Sequence, residues 1–290
     1  MRYHVGHVTR YAYDDAVEAC YNRAYLTPRD TPVQTVLEHR ITASPALAHL
    51  ADHLDGYGNT ATYLEIVPGD ARELSISAES VVEVSRVAPD ATALDRWTVA
   101  EVAAKARQVL DKVEHTDFTL PSPLAMLAPG AYARGALPDD SGLGLGLTGL
   151  LDQVASDFSY RPGATSVRST LDDLLAARAG VCQDFAHLVI GVLRAAGLPA
   201  RYVSGYLETV APPGQPKRRG ADASHAWAQV WTPDGWLDLD PTNHRFADHG
   251  YITTAWGRDF SDVSPLRGIV LTESETSTLD VFVDVTPLEG

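Results

Sequence analysis

The sequence has few of the residues that several common protein classes require. Its only two cysteines, Cys20 and Cys182, are too few for a disulfide framework and lack the paired spacing of a zinc site. No apolar run approaches the roughly 20 residues of a membrane-spanning helix, and no apolar segment follows Met1 as in a secretion signal. These absences predict a cytoplasmic protein with no structural metal and no membrane contact.

Positive charge is also scarce. Lysine and arginine total 23 against 38 acidic residues, which gives a formal net charge of −15, and only three of the basic residues are lysines. This balance argues against nucleic-acid binding, which needs a basic surface. A hydrophobic content of 45% over 290 residues supports real cores and allows one large domain or two ordinary ones. The oligomeric state is left open.

Cys182 lies at the start of a segment with helical periodicity. Apolar side chains recur at Phe185, Ala186, Leu188, Val189, Val192, Leu193 and Ala196. Gly197 and Pro199 then end the predicted helix. The N–H groups and dipole at a helix N-terminus favour a thiolate, and the Cys182 N–H could hold an oxyanion. We therefore interpret Cys182 as a nucleophile rather than a buried structural thiol, with Gln183 as a candidate second donor.

A predicted hairpin brings a histidine and an aspartate together. An alternating, aromatic-rich segment precedes a turn at 232–235, and a second strand returns from that turn and ends before a proline. Counting outward from the turn, His225 lies diagonal to Asp240 on the same face. Asp240 would orient the His225 imidazole and stabilise its charged form. Asp238 has the same alternation and is the rival acid.

These motifs resemble the core of the transglutaminase-like cysteine enzymes in its bacterial form. The resemblance is carried by residues 180–187, 224–227 and 239–243. Residues 1–30 also resemble the N-terminal region of the bacterial proteins. The resemblance implies a papain-like core with Cys182, His225 and Asp240 as a catalytic triad, behind a β-rich N-terminal domain. The family includes transglutaminases, peptidases and amidases, so the reaction stays open.

The rest of the chain predicts an α+β protein. Short alternating segments with polar turns in residues 1–90 predict a β-sandwich-like N-terminal domain. Residues 91–160 predict a helical connector and the start of the core, with one helix over 99–113. Residues 161–290 predict the transglutaminase-like, papain-like catalytic core. Within them, the basic loop 211–220 is either a solvated hairpin tip or a lid that contacts an acidic substrate.

The predicted reaction is acyl transfer from an amide, either a glutamine side chain or a peptide bond, through a thioester on Cys182. The expected substrate is a protein or peptide, with an amine as an optional co-substrate and no cofactor. Tyr160 and Trp227 are further candidates for the cleft. One alternative is a catalytically silent scaffold that binds peptides or glycans, and another is a structural subunit whose N-terminal domain does the work. The glycines of 144–149 match a dinucleotide-binding fingerprint, but the strand it requires does not precede them.

Overall fold

The computed structural model describes residues 1–67, 69–128, 132, 137–209 and 222–288. The strands are β1 (Arg2–Tyr13), β2 (Val17–Ala24), β3 (Gln34–Ser44), β4 (Leu47–Leu54), β5 (Thr60–Ile66), β6 (Glu73–Val84), β7 (Ser159–Tyr160), β8 (Ala179–Gly180), β9 (Ala200–Leu207), β10 (Ala223–Thr232), β11 (Gly235–Asp240), β12 (Arg245–Phe246), β13 (Tyr251–Gly257), β14 (Leu266–Thr272) and β15 (Ser277–Leu288). The helices are α1 (Ala91–Leu94), α2 (Val99–Val109), α3 (Lys112–Thr119), α4 (Leu143–Asp157), α5 (Leu171–Ala177), α6 (Cys182–Ala195) and α7 (Phe260–Val263). The basic loop 211–220 lies outside the described residues.

Two four-stranded antiparallel sheets form a sandwich. One has the strand order β15-β1-β6-β3, and the other has the order β14-β2-β5-β4. Alternate apolar residues fill the space between the sheets, including Val17 and Cys20 from β2, Ile66 from β5, and Leu74 and Ile76 from β6. The predicted sandwich is therefore present, and Cys20 is a buried free thiol within it.

The last two strands of the chain belong to this sandwich. Strand β14 pairs with β2, and β15 pairs with β1 over the whole length of both strands. The division into 1–90, 91–160 and 161–290 remains a prediction. The residues from Leu266 onward, which that division groups with the core, hydrogen-bond to the N-terminal strands instead.

The second part of the fold is a five-stranded antiparallel sheet covered by α6. Its strand order is β12-β11-β10-β9-β13. Helix α6 buries nearly every residue after Cys182, and its apolar side chains pack with those of β9 and β10 in the largest core of the described chain. A helix that is apolar on almost all sides is typical of a fully covered position. The architecture confirms the predicted α+β fold.

The sandwich packs directly on the core sheet. Tyr3 and Val5 from β1, with Val283 from β15, share one apolar cluster with Tyr206 and Ile252 of the core sheet. The inner face of the β1–β15 pair therefore points at the core sheet.

Two helical segments differ from what the sequence pattern alone suggests. The helix expected over 99–113 is divided into α2 and α3, because the Asp111 side chain accepts a hydrogen bond from the Val113 N–H (2.8 Å) and starts a new helix there. The glycines of 144–149 lie inside α4. They therefore form no phosphate-binding loop.

Candidate active site

Asp184 fixes the start of α6 and so the position of Cys182. Its Oδ2 accepts hydrogen bonds from the Val181 N–H (2.8 Å) and the Thr165 hydroxyl (2.6 Å). A Cβ at Gly180 would lie 2.8 Å from the same oxygen, so only glycine fits beside it. These contacts place Cys182 as the first residue of α6, with its free thiol partly exposed.

The backbone N–H of Cys182 is available to a ligand. No hydrogen bond joins it to a described carbonyl, as expected for the first turn of a helix. The neighbouring Gln183 side chain is buried, and its amide donates to the Val167 carbonyl (3.3 Å). Of the two predicted donors, the Cys182 N–H is the one that no described protein group accepts from.

The structure brings His225 and Asp240 together across the predicted hairpin. Trp231 pairs with Trp236 across the turn, as the sequence count requires. The His225 Nε2 lies 2.8 Å from Asp240 Oδ2. The Cys182 thiol is close enough to the same imidazole to contribute to the raised pKa of His225, and both side chains line one cavity. The structure therefore brings all three predicted side chains together.

Asp240 is fully buried and held by several donors. Its Oδ1 accepts from the backbone N–H groups of Thr242 (2.9 Å) and Asn243 (3.2 Å). Its Oδ2 accepts from the Asn243 side-chain amide (2.7 Å) and the Tyr251 hydroxyl (2.6 Å), besides His225. A buried carboxylate needs such partners. The carboxylate is therefore locked in the orientation that meets the imidazole.

This environment changes both pKa values in the pair. Burial lowers the pKa of His225, but the hydrogen bonds and charges of Asp240 and Cys182 outweigh it and raise that pKa from 6.5 to about 9. Burial alone would raise the pKa of Asp240, but hydrogen bonding and charge from His225, with Asn243 and Tyr251, hold it below the usual range. The favoured state is an imidazolium next to a carboxylate.

The rival acid, Asp238, is bound elsewhere. Its Oδ1 accepts from the Trp227 indole N–H (2.6 Å) and the Gln229 amide (2.7 Å), and its Oδ2 pairs with Arg86 (3.2 Å). These contacts explain why Asp240, and not Asp238, meets His225.

Two of the predicted cleft residues have different surroundings. Trp227 is fully buried and does not line the cavity, because its ring stacks on His225 (6.0 Å between ring centres) and its N–H is bonded to Asp238. It supports the imidazole from behind. Tyr160 lies on β7 with more than half of its surface exposed, and partial desolvation of the phenol, together with the nearby Cys182, raises its pKa. Tyr160 is therefore near the thiol but outside the cavity lining.

Cys182 and His225 open into a cavity of about 820 Å³. The core contributes Gln183, Tyr202 and Phe260 to its wall, and the sandwich contributes His7, Thr9 and Tyr11 from β1 and Leu279 and Val281 from β15. Sequence reasoning assigned none of these sandwich residues to the site. The sequence does contain one signal for this wall. Along β1 the inward positions change from apolar Tyr3 and Val5 to polar His7 and Thr9, which indicates that the second pair does not lie in a purely apolar core.

Within the described ranges, no three His, Cys, Asp or Glu side chains are grouped so as to hold a metal ion. In the same part of the chain, no helix is long and apolar enough to cross a membrane.

Family models match both parts of the chain. The bacterial transglutaminase-like N-terminal region matches residues 3–83, and the transglutaminase-like superfamily matches residues 143–241. A protein of Mycobacterium tuberculosis with an uncharacterised function is 43% identical over 300 aligned positions, which cover 100% of this chain and 94% of the relative. The similarity therefore extends across both the sandwich and the core.

Two other proteins are similar to this chain. A protein-glutamine gamma-glutamyltransferase of Pseudomonas aeruginosa is 39% identical over 87 residues, which are 29% of this chain and 13% of that protein. The crystal structure of a cysteine protease candidate from Cytophaga hutchinsonii shares the fold, with a TM-score of 0.76 and 20% identity over 100% of this chain and 92% of that one. The chain belongs to the transglutaminase-like superfamily of cysteine-based enzymes and carries the N-terminal region of its bacterial members.

Proposed function

We propose that this protein is a cysteine acyltransferase or amide hydrolase that acts on glutamine side chains or peptide bonds through a thioester on Cys182. The observation that carries the proposal is the grouping of Cys182 with His225 and Asp240, which opens into a cavity large enough for a peptide segment. The similarity of a short segment to a protein-glutamine gamma-glutamyltransferase supports the same chemistry.

The first half-reaction forms the thioester. The Cys182 thiolate attacks the amide carbonyl carbon, and the Cys182 N–H at the start of α6 stabilises the oxyanion. The carbon–nitrogen bond then breaks, and the leaving amine takes a proton from the His225 imidazolium. The raised pKa of His225 supports this role, because it keeps the imidazolium populated at neutral pH. Asp240 orients the ring and balances its charge.

The second half-reaction releases the acyl group. Water or an amine gives a proton to the now neutral His225 and attacks the thioester carbonyl. The carbon–sulfur bond breaks and restores the thiolate. Water gives hydrolysis, and an amine gives a transamidated product. Both outcomes use the same residues. No metal or organic cofactor enters this scheme, and the proposed partners are a protein or peptide donor and, for transfer, an amine.

Product analysis tests the proposal. Glutamine-containing peptides are incubated with the full-length protein, with and without a primary amine, and the products are separated by mass. We expect conversion of glutamine to glutamate, to the amine adduct, or cleavage of the peptide. Each should be lost in Cys182→Ala and retained in Cys20→Ala, because Cys20 lies in the sandwich core. Turnover that persists in Cys182→Ala would refute the assignment.

Thiol labelling separates an active site from a silent scaffold. Iodoacetamide at about pH 6.5 should modify Cys182 faster than free cysteine, because a helix N-terminus and an imidazolium both favour the thiolate. His225→Gln should slow the labelling. A rate equal to that of free cysteine in the wild type would favour the scaffold. The cytoplasmic location remains a prediction, which fractionation of the producing cells would test.

A further inference from the structure

The cavity wall has an unusual charge balance for this protein. The chain carries 38 acidic residues, yet among the described residues no Asp or Glu lines the cavity, whereas Arg168 and Arg267 both do. Both arginines are exposed at the rim, and no ion pair joins either guanidinium to a described carboxylate. The rim is therefore positive within an acidic molecule, and charge complementarity favours an anionic ligand there.

A second arginine lies beside Arg267 and adds to the positive charge near the rim. Arg267 on β14 is the direct cross-strand partner of Arg23 on β2, so both side chains lie on the same face. Like charges in this arrangement repel each other. Arg23 is also exposed, and no described carboxylate pairs with it. A carboxylate bound at Arg267 would offset the positive charge that Arg23 adds beside it.

Further inside the cavity, Thr9 presents a hydrogen-bond donor. The buried Tyr206 hydroxyl is 3.2 Å from His7 Nδ1, and His7 Nε2 is 2.9 Å from Thr9 Oγ1. In the tautomer in which the Tyr206 hydroxyl donates to His7 Nδ1, the His7 Nε2–H donates to Thr9 Oγ1. The Thr9 hydroxyl, which lines the cavity, is then free to donate to a carbonyl oxygen of a ligand.

Next to Thr9 the wall is apolar. Tyr11 on β1 pairs with Leu279 on β15, and Thr9 pairs with Val281. Leu279 is 58% exposed and Val281 is 46% exposed, and both line the cavity that also contains Cys182. Apolar side chains that line a cavity without being covered are typical of a binding surface.

We propose that the wall formed by β1, β14 and β15 is the acyl-donor recognition site, and that it selects a peptide with an apolar side chain near the reacting amide and a carboxylate that meets Arg168 and Arg267. This inference rests on the proposed reaction at Cys182. The apolar side chain packs on Leu279 and Val281, and a donor carbonyl accepts from Thr9. The sandwich thereby sets the specificity of the core.

Three peptide electrophiles test the site without a known substrate. They are acetylated leucine-containing tripeptidyl chloromethyl ketones that differ only in one residue, which is glutamate, glutamine or lysine. Each alkylates the thiolate with loss of chloride, and intact mass gives the rate at Cys182. We expect the glutamate probe to react about tenfold faster than the lysine probe at low salt, and the ratio to fall as salt rises.

Matched variants show which side chains cause the preference for the glutamate probe. Arg267→Gln and Arg168→Gln should each reduce the glutamate-to-lysine ratio about threefold, whereas Arg40→Gln, an exposed arginine on the distant edge strand β3, should leave it unchanged. Leu279→Ser should slow all three probes by weakening the apolar contact. Leu54→Ser, at an exposed position on β4, should not.

The outcomes separate the two proposals. Equal rates for all three probes in a wild type whose Cys182 is alkylated would overturn the recognition site alone. A preference that survives the combined Arg168→Gln and Arg267→Gln change would also overturn it. If no probe modifies Cys182, the proposed reaction fails, and the recognition site fails with it.

Discussion

The pKa of His225 is the property of the site that the structure predicts most sharply. The change Asp240→Asn removes the negative charge beside His225 Nε2 and keeps the size of the side chain. The burial that lowers the pKa of His225 remains, while the strongest interaction that raises it is gone. The imidazolium should therefore lose most of its stabilisation.

The size of the change follows from the environment of the ring. In the wild type the pKa of His225 is raised from 6.5 to about 9. This corresponds to about 3 kcal/mol of preference for the charged imidazole. Cys182 supplies a part of the preference, so Asp240→Asn should lower the pKa of His225 by about 2 units.

Nuclear magnetic resonance of the histidine ring protons across pH measures this shift. His225→Gln identifies the His225 signal among the ten histidines of the chain. Asp152→Asn is a matched control, because Asp152 pairs with His244 on the exposed surface and should leave the His225 titration unchanged. A wild-type His225 pKa near 6.5, or an Asp240→Asn value within about half a unit of the wild type, would refute the reasoning.

Three further predictions concern stability. The pKa of His225 is about 9 in the folded protein and 6.5 in the unfolded chain, so its contribution to the free energy of unfolding is complete below about pH 6.5 and is lost as the pH rises through about 9. Urea unfolding across this pH range should show the decline in the wild type and a flatter dependence on pH in His225→Gln. Tyr251→Phe removes the hydroxyl that donates to Asp240 and should lower the free energy of unfolding by about 1–3 kcal/mol in the same assay. Gly180→Ala places a Cβ 2.8 Å from Asp184 Oδ2 and should cost about 1–2 kcal/mol and slow Cys182 alkylation.

A specific experimental result would contradict each of these predictions. A wild-type stability profile that is as flat as that of His225→Gln contradicts the first, and a Tyr251→Phe protein as stable as the wild type contradicts the second. For the third, Gly149→Ala in α4 is the control, because nothing lies within 4 Å of the added Cβ. That change should stabilise the helix by about 1 kcal/mol. A Gly180→Ala protein that is as stable as the wild type would contradict the role of Asp184 in fixing the start of α6.

Local sequence signals were sufficient for the centre of the candidate site. The turn at 232–235 sets the pairing of β10 with β11, and strand alternation then places His225 next to Asp240. Helical periodicity likewise predicted that Cys182 opens α6. The choice between Asp238 and Asp240 was harder, because it depends on Arg86 and other partners that lie far away in the chain.

Long-range pairing explains what the sequence did not reveal. Strand β15 pairs with β1 across more than 260 residues, as in the pair Thr9 and Val281. Strand alternation indicates which residues share a face but not which strand lies next to which. The cavity wall of the sandwich, and with it Leu279, follows from this pairing. For the same reason the sequence does not show whether Trp227 lines the cleft or lies in the core, since its ring packs against Tyr251 from another strand.

The most direct test of the account is to trap the acyl-enzyme. The full-length protein is mixed with a glutamine-containing donor peptide, quenched in acid, and weighed intact before peptide mapping. The account predicts an adduct equal to the peptide minus ammonia, or to its acyl fragment if a peptide bond reacts, attached to Cys182. It should be released by hydroxylamine, present in Cys20→Ala and absent in Cys182→Ala. An adduct on any other residue, or no adduct on a Cys182 that also reacts with iodoacetamide only as fast as free cysteine, would contradict it.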